Sequence, residues 1–156
     1  YRVEEMAALC ESQGWGDPFS YARSKEIYAA TKLGHRIAPT LSGADAIGPN
    51  GEEYEYKSTI GKRCKGSYTG ISVQDTWEKQ EEYLVKEKIG KYPKHYYNRF
   101  EGGKLAEAYE MNAEDVLEIL LPKLKRKYGT TLNNKDPRLS ADVSWKEVYE
   151  YGTKVI

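Results

Sequence analysis

Asp45-Ala46-Ile47-Gly48-Pro49-Asn50-Gly51-Glu52-Glu53-Tyr54-Glu55-Tyr56-Lys57 is the stretch on which the reading of this chain turns. Gly48-Pro49-Asn50-Gly51 is built of turn residues, and it separates two runs able to form strands. With Ser58, Thr59 and Ile60 added, the stretch reads as strand, turn, strand. Side chains alternate across a strand, so Glu55 and Lys57 share one face while Tyr54, Tyr56 and Ser58 take the other. Folding about the turn sets Ile47, Ala46 and Asp45 opposite about Glu52, Glu53 and Tyr54. Asp45 then comes to rest beside Glu55, within the roughly 5–8 Å that separates cross-strand Cβ neighbours.

Two carboxylates that close repel each other and raise one pKa, and a divalent cation between them removes that cost. Oxygen donors in an incomplete cage, with room for water and a phosphate oxygen, suit Mg²⁺ better than Zn²⁺. Lys57 stands where it can orient the attacking water, help deprotonate it and offset charge in a phosphoryl transition state. In outline, Asp45, Glu55 and Lys57 form a metal-dependent phosphodiester hydrolysis site. The competing reading is a surface hairpin whose acids and amine are merely solvated, because a bare D…ExK triplet is common by chance.

Outward from the hairpin, the pattern alternates helices and strands. Val3, Met6, Ala7, Leu9 and Cys10 make an apolar stripe at helical spacing over 3–13. Asp17-Pro18 opens a second predicted helix that runs to Leu33, with Gly34 as its stop. His35 to Pro39 reads as a short extended piece. Residues 61–74, rich in Gly, Lys and Ser, read as an irregular exposed segment. Asp75 with Glu78 resembles a capping box for a helix from about Thr76 to Ile89. Tyr92 to Phe100 and Leu105 to Met111 read as strands about Glu101-Gly102-Gly103. Asn112 caps a helix whose core residues are Val116, Leu117, Leu120, Leu121 and Leu124. Pro122 is expected to kink or divide it, and Tyr128-Gly129 to end it. Residues 129–140 read as a polar loop. Ser144 with Glu147 caps a last short helix closed by Gly152. The fold class expected is α/β (α+β-like): one domain over 1–156, with a mixed central sheet flanked by helices.

Composition narrows the function classes. The chain has 156 residues, with 24 Lys plus Arg against 24 Asp plus Glu, a formal net charge of +0. Zero net charge argues against charge-driven coating of DNA but leaves room for a local basic stripe. No apolar run approaches the roughly 20 residues of a membrane span. Two cysteines, Cys10 and Cys64, cannot build a zinc ribbon or a disulfide framework, and reduced thiols in a cytoplasmic setting are expected. No basic segment followed by an apolar one opens the chain, so no secretion signal is expected.

Asp45 followed by Glu55-Tyr56-Lys57 resembles the motif of the PD-(D/E)xK nucleases, and the chain is similar to type II restriction endonucleases within that family. The similarity runs from Gly16 to about Gln74 and includes Asp17, Phe19, Lys25, Gly34, Pro39, Gly43-Ala44-Asp45-Ala46, Gly51, Glu53-Tyr54-Glu55, Lys57-Ser58, Lys65-Gly66 and Thr69. It resumes at Asn133-Asn134, Pro137 and Glu150-Tyr151-Gly152-Thr153-Lys154, with insertions in 75–95 and near 140–144. The resemblance implies a homodimeric, Mg²⁺-dependent endonuclease that cleaves both strands of a palindromic duplex site and leaves 5′-phosphates. By the same resemblance Asp45 and Glu55 hold the metal and Lys57 assists the attacking water. The resemblance further implies that residues 3–40 would make much of the dimer interface, that residues 41–156 would carry catalysis and DNA recognition, and that a cognate DNA methyltransferase would protect the host.

The departures bear on specificity. Ala44 stands where the motif has proline, and Ser42 where the most similar members have a glutamate. No histidine occurs in Gly70-Ile71-Ser72, where those members read bases, and Tyr21 replaces an aspartate of theirs. A different recognised sequence is therefore expected. Tyr68, Ser72 and Gln74, with Asn134, Asp136 and Arg138, are the candidate readers: Gln and Asn suit adenine, Arg guanine, and Asp cytosine. Lys62, Arg63 and Lys65 abut the carboxylates and are candidate phosphate contacts. Lys123, Lys125, Arg126 and Lys127 read as a solvated helix end, His35 and His95 as ordinary histidines, and Tyr92, Tyr96 and Tyr97 as packing one side of a sheet. Three other readings stay open: a repair or phage nuclease that recognises DNA structure, a DNA-binding module that does not cut, and a purely structural dimer with no salt-dependent affinity for DNA.

Overall fold

A computed structural model describes residues 2–17, 23–39, 43–131 and 137–156. Two helices come first, α1 (Arg2–Ser12) and α2 (Arg23–Leu33). The hairpin follows, with β1 (Arg36–Ile37), β2 (Ala46–Ile47) and β3 (Glu53–Thr59), then β4 (Gly66–Ser72) and α3 (Trp77–Tyr83). A π-helical turn, Leu84–Lys88, leads into β5 (Lys94–Glu101) and β6 (Lys104–Asn112). The chain closes with α4 (Ala113–Thr131), β7 (Arg138–Val143), α5 (Trp145–Tyr151) and β8 (Thr153–Lys154). A 6-stranded sheet has the order β1-β2-β3-β5-β6-β8, and β4 pairs with β7 in a separate ribbon. The β3–β5 pair is parallel and the other pairs are antiparallel, so the fold is mixed α/β, as the sequence predicts.

Each face of the sheet buries its own layer. Tyr54, Tyr56, Tyr96 and Phe100 pack beneath Ala29 and Ala30 of α2. On the other face Tyr97 and Met111 meet Val116, Leu120 and Leu124 of α4, together with Tyr68, Ile71, Leu139, Ala141 and Val143 of the ribbon. Tyr96 and Tyr97 are therefore buried on opposite faces, and the expectation that the tyrosines pack one side does not hold. The predicted hairpin is present with its register displaced by one: Ile47 lies opposite Glu53 and Ala46 opposite Tyr54.

Several local expectations are overturned by tertiary packing. The segment 61–74 is not irregular, because β4 finds β7 far along the chain and buries Gly66, Tyr68 and Ile71. Thr76, not Asp75, caps α3: its hydroxyl accepts the Lys79 amide at 3.2 Å. That helix widens into the π turn, where the Ile89 and Gly90 amides both donate to the Leu84 carbonyl. Gly90 allows this closure, since a Cβ there would overlap the Val85 carbonyl oxygen.

Pro122 neither divides α4 nor ends it, and Gly129 lies within it. Pro122 is exposed, while Leu120 and Leu124 on either side are fixed in the core. That packing offsets the roughly 3 kcal/mol a helical proline costs. Ser144 and Glu147 form the capping box the sequence predicts, closed by Gly152. The stripe on α1 is mostly outward: Cys10 is buried, but Met6 and Leu9 are 45% and 52% exposed. The start of the second predicted helix, 18–22, lies outside the described residues, as do Ser42 and Tyr21. Cys10 and Cys64 are free and buried. Among the described residues no helix is long and apolar enough to cross a membrane.

Candidate active site

Asp45 precedes β2 and is held in place by β3. Its amide donates to the Tyr54 carbonyl at 3.0 Å, and its Oδ2 accepts the Tyr56 amide at 2.8 Å. The hairpin thus spends two of its hydrogen bonds on this one residue, which stiffens a position a loop would leave loose. Glu55 and Lys57 project from the same face of β3, with Lys57 Nζ 3.5 Å from Glu55 Oε1. Their side chains keep 20% and 23% of their surface, so solvent reaches both. The structure brings the three predicted residues to one end of the hairpin. Burial first, and the Asp45 charge second, push the Glu55 carboxyl up to about 7 against the lowering effect of Lys57.

Glu55 and Lys57 open into a cleft of about 260 Å³ lined also by Gly43, Tyr68, Thr69, Ile71, Lys88, Ile89 and Tyr92. Lys88 arrives from the π turn and forms no ion pair with another described residue. Tyr92 ties the cleft wall to the segment before Asp45, donating its hydroxyl to the Gly43 carbonyl at 2.9 Å. The sequence offered no motif for Lys88. Only the strand pairing that returns β5 beside β3 carries the π turn across the carboxylates.

Beneath the cleft lies a buried polar chain. The His95 Nε2–H donates to the Ile89 carbonyl at 3.1 Å, since a carbonyl can only accept. Nδ1 is then the acceptor for the Tyr68 hydroxyl at 2.8 Å, and the Tyr97 hydroxyl donates to the Tyr68 oxygen at 2.8 Å. Burial pushes the His95 imidazole down to about 4, so it is neutral at pH 7. His95 is thus not an ordinary half-exposed histidine: it is fully buried and satisfied on both nitrogens. The ring of Tyr68 faces the other way, with Lys57 Nζ 4.4 Å from its centroid.

Tyr68 is therefore corrected as a base reader: it is buried, and its hydroxyl is engaged by His95 and Tyr97. Lys62, Arg63 and Lys65 are exposed on the β3–β4 loop, and none of them lines the cleft. Arg63 lies against α5, its guanidinium carbon 3.8 Å from the Trp145 ring centroid. Ser72 and Arg138 are exposed register partners at one end of the ribbon. Gln74 is partly buried and braced, its amide donating to Gln80 Oε1 at 2.7 Å and its carbonyl accepting from Tyr128. Asn134 and Asp136 lie outside the described residues. Lys123 and Lys127 are not merely solvated, for they donate to the Asp142 and Ser140 carbonyls and join α4 to β7.

Asp45 and Glu55 supply hard oxygen donors, and their mutual repulsion is the kind a divalent cation relieves. Among the described residues no group of three or more His, Cys, Asp or Glu side chains gathers to hold a metal. The donor set therefore fits an open site that leaves most positions to water and substrate oxygens. No family model and no curated protein matches the chain.

Proposed function

We propose that this protein is a Mg²⁺-dependent endonuclease that hydrolyses both strands of duplex DNA at a specific site, in the manner of type II restriction endonucleases. The observation that carries the reading is the meeting of Glu55 and Lys57, with Lys88, on one open cleft, with Asp45 fixed beside Glu55 by the Tyr56 amide. Asp45 and Glu55 would hold the cation, and when bound it would polarise a phosphoryl oxygen and make water more acidic.

Lys57 orients the attacking water and offsets negative charge growing on the phosphate in the transition state. Lys88 would supply a second ammonium for a phosphate oxygen, since it lines the same cleft as Lys57. The tilt and reach of Lys57 are set from below by Tyr68, which lets a flexible side chain act from one position. Ser72 and Arg138, exposed side by side on the ribbon, are the described residues best placed to read base edges. A homodimer would set one such cleft on each strand of a two-fold site. The resemblance brings with it a partner methyltransferase and a cytoplasmic setting.

Digestion of a plasmid library with Mg²⁺, followed by sequencing of the ends, tests the reading. Discrete fragments with 5′-phosphates and a common flanking sequence support it. Degradation without a shared sequence points to a structure-specific nuclease. Salt-dependent duplex binding with no cleavage under any divalent ion points to a binding module.

A further inference from the structure

We infer that Tyr68 is a positioning residue for Lys57: its ring, clamped at the hydroxyl end by His95 and Tyr97, is the seat on which the Lys57 ammonium rests beside Glu55. The inference deepens the hydrolytic reading of the same cleft and rests on it for its kinetic consequence. Lys57 Nζ stands 4.4 Å from the Tyr68 centroid, well within the roughly 6 Å over which a ring face attracts a cation. The same nitrogen is 3.5 Å from Glu55 Oε1, longer than a tight charge-assisted hydrogen bond of about 2.7–2.9 Å. Glu55 alone therefore does not define where the ammonium sits, and the ring supplies the second constraint.

The ring itself cannot drift. Its hydroxyl is bonded at 2.8 Å by both His95 Nδ1 and Tyr97 Oη, and His95 is tied at 3.1 Å to the Ile89 carbonyl. Ile89 follows directly on the turn that carries Lys88, so the two amines of the cleft are referred to one buried anchor. The backbone is shaped to match. A Cβ at Gly66, two residues before Tyr68, would stand 2.8 Å from Lys57 Cγ and 2.6 Å from a Tyr97 ring carbon. Only a glycine lets β4 approach closely enough to bring the Tyr68 ring under the lysine. Any buried tyrosine hydroxyl needs partners, but one placed merely to fill the core has no need of a cation on its ring face.

Tyr68→Phe and Tyr68→Leu separate ring from hydroxyl, because both lose the same hydrogen bonds and only leucine loses the π face. Lys57 Cε and its protons, assigned by NMR, are expected upfield through the ring current in the wild type and in Tyr68→Phe, and to lose that shift in Tyr68→Leu. In single-turnover cleavage Tyr68→Leu is expected to fall on the order of 10- to 100-fold at unchanged duplex affinity, and Tyr68→Phe to recover most of that loss. Absence of the ring-current shift in the wild type overturns the proposal without any activity measurement, even where a variant fails to fold. Equal rates in the leucine and phenylalanine variants overturn it as well, since the loss would then belong to the hydroxyl. A wild type that shows the shift and hydrolyses no DNA leaves the seat standing and sinks the nuclease reading instead.

Discussion

Lys57 stands between the Glu55 carboxyl group and the face of the Tyr68 ring. Glu55 faces it at 3.5 Å and Tyr68 at 4.4 Å from the ring centroid. An amine so held can orient the attacking water from one fixed position. Lys57→Ala should keep duplex affinity and lower cleavage on the order of 10²-fold or more, as removal of one preorganised transition-state donor does. Single-turnover rates beside equilibrium binding check this, and unchanged turnover would remove the mechanism. Lys88 is expected to behave differently, because its contact is with ground-state phosphate as well. For Lys88→Gln, the slope of log affinity against log salt should shrink by about 1, with Lys88→Arg restoring it. A slope equal to that of the wild type would take Lys88 off the phosphate. The candidate triplet Asp45, Glu55 and Lys57 is legible in the sequence because alternation and a four-residue turn suffice to gather it. Tyr68 was misread for the opposite reason. It stands in Gly66-Ser67-Tyr68-Thr69-Gly70, where polar and small neighbours suggest exposure, and only pairing with β7 turns it inward.

At the level of elements, the π turn is the feature on which the cleft wall depends. The turn sets Lys88 and the Ile89 carbonyl, and its closure needs the Gly90 amide within reach of Leu84. Gly90→Ala forces a methyl group onto the Val85 carbonyl, so the turn must open. A loss of about 1–3 kcal/mol in urea unfolding is expected, typical of inserting a methyl group into a packed site. A variant as stable as the wild type would show that the turn yields freely. Helices with local signals were legible: Ser144 and Glu147 announce α5, and Val116, Leu120 and Leu124 announce the buried face of α4. The passage of α4 through Pro122 was not, since a proline marks a lost hydrogen bond but not the packing that outweighs it. Nor was β4, whose partner strand lies at the other end of the chain.

For the molecule as a whole, His95 links stability to pH. Its imidazole ordinarily titrates at 6.5, and burial lowers it to about 4. Above pH 6.5 folded and unfolded chains both hold it neutral, and its contribution is complete. As pH falls from about 6.5 to about 4, the unfolded chain takes up a proton that the folded chain refuses, and stability is lost. For this one group the slope is roughly 1.4 kcal/mol per pH unit. Because Glu55, raised to about 7, shifts stability in the opposite sense over the same range, the check is a difference: the stability of the wild type minus that of His95→Gln, from urea unfolding, should fall between about pH 7 and pH 5. An identical slope in the variant would assign the acid lability to other groups.

The sequence by itself determined the mixed α/β class, the hairpin and the face shared by Glu55 and Lys57, because these follow from periodicity and turn chemistry within a few residues. Tertiary structure alone decided the burial of Tyr68, the neutral His95 beneath it, the arrival of Lys88 at the cleft and the strand character of 66–72. Those depend on segments distant in the chain meeting across one hydrophobic layer. No local pattern encodes such a meeting, for its free energy comes from surfaces that touch only once the whole sheet has formed.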